Sequence, residues 1–528
     1  MQQRKSNVVE QPQPSGLGHR LWRFLLILLP PAILLSRLAF LLNGNAYLDG
    51  DESLYGVMTL HVLQGKGLPI LPYGQGYGVS VIETLIMAGY ASLLGLTPTV
   101  MQLSMLSLWA LAMVFFALAV RRFAGDLAAV VSTALLILSP GWGHVSLASW
   151  GYNQTAFLAT NISLWLIANL IHEDQRRPGP LLGLGIAVGM VSVTQPIYVL
   201  GLAPFLLLLV VCGRRFTDAF HFGVGFAVVA GLFILVRALG RVYWQPQLFD
   251  SPDVFAALWL IPQRLWVVLS GAYFLDRTLP FGPATLITAT LWSFCALALA
   301  VQLVLRSRRD RSFTPSHAGF LAVSLVVLFS LVVTPADYGY RYGVPAIGFL
   351  CLALGIELSA LLDARKKSLR IFARVLLAVI LFGGAVSLIE LGGLNFSGSA
   401  VRSRSPEDRD LQTLVDYLLQ RKIRHVFCTD GMFQWKLIFI SHEGIQTRFL
   451  HSLDRYTVYP QAVEQALYSG QPVAIVHEGT DARKFTELVA RAGFGYLRVE
   501  LVANRYVVLQ NPPLELLQPW FQNTKPQR

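Results

Sequence analysis

Apolar residues run along this chain in blocks about as long as a membrane is thick, separated by short polar or basic stretches, from Leu21 to about Glu390. A bilayer core of roughly 30 Å is crossed by about 20 apolar residues in a helix. The blocks lack the polar stripe that a surface helix keeps, so each reads as a lipid-embedded element. They predict spans at about 21–42, 98–120, 124–140, 154–171, 181–195, 196–212, 217–239, 283–305, 318–334, 343–362 and 370–391. After Ser405 the apolar runs shorten to strand length and charge becomes denser. There the pattern predicts an amphipathic helix over 409–422, strands at 424–429 and 472–476, a helix over 482–492, and strands at 496–501 and 506–509. The expected fold class is therefore a mostly α polytopic membrane protein of about eleven transmembrane helices plus interfacial helices. A small C-terminal extracytoplasmic α/β domain completes it. The expected division is a cytoplasmic tail at 1–20, a membrane domain at 21–395 and the α/β domain at 406–528.

Composition supports lipid as the solvent, with 54% hydrophobic and only 14% charged residues, against about 25% charged in soluble domains. The net charge of +12 sits in short clusters between the apolar blocks: Arg4 to Arg23, Arg121-Arg122, Arg176-Arg177, Arg214-Arg215, Arg306 to Arg311 and Arg365 to Arg370. That is the signature of cytoplasmic loops, not of a nucleic-acid surface. It also orders the topology. If the block at 80–95 crossed the membrane, every later cluster would face outward, so it is expected to lie in the outer interface as a non-crossing helix. The N-terminus is then cytoplasmic and the tail extracytoplasmic, in the plasma (inner) membrane. The first block contains Pro30-Pro31 and Arg37 and lacks a small-x-small cleavage site, so it reads as an uncleaved span. Cys212, Cys295, Cys351 and Cys428 show no pair spacing and support neither a disulfide framework nor a cysteine metal site.

Polar and aromatic residues gather in the expected outer loops. The first reads Asp49-Gly50-Asp51-Glu52-Ser53-Leu54-Tyr55, then Gly65-Lys66-Gly67, then Tyr73-Gly74-Gln75-Gly76-Tyr77-Gly78. Three carboxylates within four residues repel one another, which suits one of them to be a general base. The same spacing suits a helix start, with Asp49 as the cap and Asp51 and Glu52 in its first turn. Arg37 lies about one turn inside the outer end of the first span, where it either snorkels or meets a lipid phosphate. Asp337-Tyr338-Gly339-Tyr340-Arg341-Tyr342 forms a second cluster, in which arginine suits phosphate and tyrosine suits sugar rings. The alternative for Arg341 is an interfacial aromatic and arginine belt. His144, Trp150, Tyr152 and Asn153 occupy the loop expected opposite the acidic one.

An N-terminal span followed by an outer loop with Asp51-Glu52 resembles the C-type membrane glycosyltransferases. It is most similar to the family 39 group of protein mannosyltransferases and aminoarabinose transferases. Leu94-Gly95, Leu138-Ser139-Pro140 and Arg341-Tyr342-Gly343-Val344-Pro345 add to the resemblance, as do Arg424-His425-Val426-Phe427 and Asp454-Arg455-Tyr456 in the tail. The resemblance implies transfer of a hexosyl or pentosyl group, with inversion, from a polyprenyl-phosphate donor to an acceptor hydroxyl on a lipid, polysaccharide or protein. It implies catalytic roles for Asp51, Glu52 and Asp49, with Asp51 as base. Substrate contacts are then expected from Arg341, Tyr342, Tyr340, Glu83, Gln75, Tyr77, Lys66 and Arg37. No ligand spacing requires a metal, although a divalent cation held by the acidic cluster would share the charge-neutralising role. The chain departs from many members of the group by carrying Tyr77-Gly78-Val79-Ser80 in place of a Lys-Pro-Pro-like segment, and Gln195 in place of a lysine. Two other classes use the same features: a transporter or flippase that binds through the acidic cluster, and a non-catalytic relative. Transporters place ionisable groups midway across the membrane and show paired repeats, whereas here the carboxylates gather at one face and the blocks do not repeat.

Overall fold

The computed structural model describes residues 16–42, 48–73, 78–150, 153–172, 178–212, 216–239, 259, 261–271, 283–310, 313–333, 340–392, 405–450, 456–479 and 482–517. In chain order the helices are α1 (Gly16–Leu42), α2 (Gly50–Leu63), α3 (Val81–Leu94), α4 (Pro98–Ala124), α5 (Asp126–Ile137), α6 (Asn153–His172) and α7 (Pro178–Thr194). They continue with α8 (Ile197–Val211), α9 (Phe216–Leu239), α10 (Ile261–Ser270), α11 (Pro283–Asp310), α12 (Pro315–Val333), α13 (Pro345–Leu362) and α14 (Lys367–Leu391). Then follow α15 (Ser405–Gln420), β1 (His425–Cys428), α16 (Gly431–Ile440), β2 (Gln446–Phe449), α17 (Val458–Tyr468), β3 (Val473–Glu478), α18 (Ala482–Val489), β4 (Val499–Val502) and β5 (Tyr506–Gln510).

Every predicted span coincides with a helix. Among the described residues, six helices are long and apolar enough to cross a membrane, or seven when the bent α1 is counted as one span. Of the other four expected spans, three coincide with apolar helices of 12, 17 and 15 residues, α5, α7 and α8, and the fourth with α12, apolar over Pro315–Ser330. Chain breakers explain the shortening. Gly125, at φ 88°, separates α4 from α5, and Pro196 divides the apolar run 178–211 into α7 and α8. A proline has no N–H to continue the helical ladder, and glycine enters the left-handed region without strain.

The chain forms two compact units. The first holds α1, most of α4, and α5 to α14. Its helices touch through small residues: a Cβ on Gly185 would meet the Phe222 backbone of α9, and one on Gly225 would meet Leu182 of α7. Such close backbone approach is how helices associate where lipid removes the hydrophobic drive.

The second unit holds α2, α3, the start of α4, residues 149 and 150, and everything from α15 onward. Its centre is a five-stranded sheet in the order β2-β1-β3-β5-β4. Strands β2, β1 and β3 are parallel, while β5 and β4 run antiparallel. Side chains alternate across the sheet: Val426, Cys428, Ala474, Val476 and Val508 pack on one face, with Leu414, Leu418 and Phe433. Phe427, Val473, Ile475 and Leu509 pack on the other, with Val463 and Val489. Both faces are covered, which is why these strands read as continuous apolar runs. Helix α2 lies against α16 through two glycines. A Cβ on Gly50 would stand 2.6 Å from the Met432 Cα, and one on Gly56 would strike the Phe439 ring.

Candidate functional site

The acidic segment folds as the start of α2. Asp49 is extended at φ −82°, ψ 178° and caps the helix, its Oδ1 accepting the Glu52 N–H at 2.7 Å. Glu52 Oε2 accepts the Asp49 N–H in return at 3.3 Å, which closes a capping box. Two further donors arrive from a segment about a hundred residues on. The Ser149 N–H reaches Glu52 Oε1 at 3.0 Å, and the Trp150 indole N–H reaches Asp49 Oδ2 at 2.9 Å. Both oxygens of Asp49 and both of Glu52 therefore accept N–H groups. Asp51, between them, is partly exposed in the first helical turn.

The carboxylates thus differ in environment. Glu52 is only 2% exposed. Burial first, and then the charges of Asp49 and Asp51, push its carboxyl well above the usual range, against the pull of the two N–H donors. Glu83 lies in the first turn of α3 and is fully buried. Both sequence readings of the acidic loop, helix cap and chemistry, start from the same residues, and the structure gives the cap to Asp49 with Glu52.

Lys66 goes to a partner the sequence reading missed. Its Nζ lies 2.7 Å from Glu443 Oε2. Glu443 Oε1 also accepts from Tyr459 Oη at 2.8 Å and meets His61 Nε2 at 2.9 Å. His61 Nδ1 pairs with Tyr73 Oη, and the Tyr73 ring stacks on Tyr456 with centroids 4.2 Å apart. Burial alone would raise the Glu443 carboxyl, but the hydrogen bonds from Lys66, His61 and Tyr459 outweigh it and hold the group down at about 2. Burial, with the Glu443 charge beside them, pushes the Tyr73 and Tyr459 phenols upward. Glu443 follows α16 in an unremarked His-Glu turn at positive φ (48° and 62°), with no motif to single it out.

Arg37 neither snorkels nor sits at a surface: it is fully buried in the first unit. Its Nε donates to Ser146 Oγ at 2.7 Å, its Nη1 to the Ile137 carbonyl at 2.8 Å, and its Nη2 to the Trp142 carbonyl at 3.3 Å. The guanidinium carbon lies 4.9 Å from the centre of the Trp109 ring. Ile137 ends α5, so the cation meets the negative end of a helix dipole.

Tyr340, Arg341 and Tyr342 form a 3₁₀ turn, Tyr340–Gly343, just before α13. Tyr342 is partly buried, and the side chains of Tyr340 and Arg341 lie outside the described residues, as do Gln75 and Tyr77. Among the described residues no three His, Cys, Asp or Glu side chains gather into a set that would hold a metal ion. In the acidic loop each oxygen of Asp49 and Glu52 accepts one N–H, and Asp51 lies outside those four bonds.

No protein-family model matches the chain, and no curated protein sequence does. Solved structures do match. ArnT from Cupriavidus metallidurans in the apo state superposes with a TM-score of 0.61 at 13% identity, over 96% of this chain and 99% of that one. The same protein bound to undecaprenyl phosphate gives 0.60 over the same shares. The archaeal oligosaccharyltransferase AglB from Archaeoglobus fulgidus, in complex with an inhibitory peptide and a dolichol-phosphate, gives 0.50 at 11% identity, over 88% of this chain and 71% of that one. At such identities the likeness is one of fold. This chain has the fold of the C-type membrane glycosyltransferases.

Proposed function

We propose that the protein transfers a hexosyl or pentosyl group from a polyprenyl-phosphate donor to an acceptor hydroxyl, at the outer face of the plasma (inner) membrane. The observation that carries this reading is a shared fold running nearly end to end in both chains with ArnT, a protein solved with undecaprenyl phosphate bound. A fold hosts more than one function, so the acidic loop supplies the chemical argument. Asp49 and Glu52 are committed to N–H donors, and Asp51 is the partly exposed carboxylate held between them.

In this reading Asp51 takes the proton of the acceptor hydroxyl as the acceptor oxygen attacks the anomeric carbon. The bond from that carbon to the phosphate oxygen breaks, the polyprenyl phosphate leaves, and one displacement inverts the centre. Proton removal by a positioned carboxylate contributes about 10²- to 10⁴-fold. The leaving phosphate gains negative charge and needs a cation. Arg341 fits that role, flanked by Tyr340 and Tyr342 as faces for the sugar. Lys66 is held by Glu443 and Arg37 is enclosed by carbonyls, which leaves both less suited to it. Gln75, Tyr77 and Glu83 are the further candidates for substrate contact. The acceptor is a lipid, polysaccharide or protein. With eleven spans and a cytoplasmic N-terminus, α2, the 340–343 turn and the C-terminal sheet would all lie on the extracytoplasmic side.

The test is turnover by the full chain in proteoliposomes supplied with polyprenyl-phosphate pentoses and hexoses. Release of free polyprenyl phosphate from at least one donor is expected. Failure to turn over any donor, together with no binding of undecaprenyl phosphate, overturns the reading.

A further inference from the structure

Ser149 and Trp150 sit one after the other in the second unit, and their N–H groups divide between the two members of one capping box. The Ser149 backbone N–H takes Glu52, and the Trp150 indole takes Asp49. Both residues are buried, at 1% and 4% exposure. An indole nitrogen is a donor with no acceptor capacity. Its bond to Asp49 is therefore strongest when that oxygen carries charge, and it favours the ionised cap. A tryptophan kept only for its packing would as readily meet a backbone carbonyl. Here it meets the one side-chain oxygen of the cap that the helix itself does not use, since Oδ1 already holds the Glu52 N–H.

The consequence concerns Asp51. A helix start frays because its first N–H groups lack partners. In this start both ends of the box are pinned from outside, at residues 49 and 52, with Asp51 between them. We propose that Trp150 is a positioning residue, whose indole N–H fixes the Asp49 cap and thereby the place of the Asp51 carboxylate. This rests on the assignment of Asp51 as base, and the test separates the two.

The full chain is compared with Trp150→Phe, which keeps a ring and loses the donor, and with Trp150→His, which restores an N–H. With a turned-over polyprenyl-phosphate donor, Trp150→Phe is expected to lower kcat at least tenfold with donor KM changed less than twofold. Without the indole donor the cap carboxylate takes a proton more readily, so the acid limb of the pH profile should move to higher pH. Trp150→His should recover part of kcat. An unchanged kcat and acid limb in Trp150→Phe, with only lower yield of folded protein, overturns the positioning role.

A second readout needs no activity. In protein labelled with 5-fluorotryptophan, the ¹⁹F resonance lost in Trp150→Phe should titrate with pH and shift in Asp49→Asn. A resonance indifferent to both overturns the link. A chain that turns over no donor yet shows the coupled resonance overturns the sugar-transfer reading and upholds the link.

Discussion

Asp49 shows how one side chain settles a local structure. Its two oxygens hold the Glu52 N–H and the Trp150 indole, so a single carboxylate starts α2 and anchors a distant segment to it. Replacing an N-cap aspartate by alanine costs about 1 kcal/mol, and leaving a buried donor unpaired adds roughly 1–3 kcal/mol. Asp49→Ala should therefore lower the thermal unfolding midpoint of the purified protein clearly, and an unchanged midpoint would remove the cap from this account. The cap was legible in the sequence because Asp-x-x-Glu is a local signal. The partners were not. Trp150 stands about a hundred residues away, and Glu443 nearly four hundred from Lys66, with no spacing rule to join them. Arg37 shows the same limit. Its depth in the span was readable, but the carbonyls of Ile137 and Trp142 that receive it were not.

At the level of elements, the apolar blocks located a helix at each predicted span, and among the described residues six or seven of these are long and apolar enough to cross a membrane. The C-terminal sheet was read less fully. β1, β3, β4, β5 and the helices α15 and α18 fell near their expected places, while α16, β2 and α17 went unread. Strand β2 is Gln-Thr-Arg-Phe, an edge strand of four residues with no apolar run. Helix α16 is apolar on several sides because it packs both on the sheet and on α2, so it has no amphipathic stripe to detect. The tie between α2 and α17 is electrostatic. Glu443 lies below the ordinary glutamate value of 4.5, at about 2. Its contribution is therefore complete above about 4.5 and lost as pH falls toward 2. Buried Glu52, raised instead, acts in the opposite direction as pH rises. Glu443→Gln should flatten the fall in thermal stability between about pH 4.5 and pH 2, measured against the native chain in detergent. An identical acid profile would show that the network holds nothing.

For the whole molecule, orientation decides the function. The positive-inside pattern predicts an extracytoplasmic side for α2 and the C-terminal sheet, the side on which the proposed transfer would take place. Reporter fusions at Arg176 and Leu411 should give a cytoplasmic signal at the first and an extracytoplasmic signal at the second. A cytoplasmic signal at Leu411 would overturn the topology and with it the side of the reaction. The fold shared with ArnT across nearly the full length of both chains gives the architecture. The proposed chemistry rests on Asp51, in a helix start closed by a capping box.

The most direct measurement of that chemistry is transfer from a polyprenyl-phosphate sugar by Asp51→Asn beside the native chain, with donor binding followed in parallel. The account predicts a loss of at least about 100-fold in turnover, with donor binding preserved. An Asp51→Asn protein that transfers sugar at the native rate would contradict it.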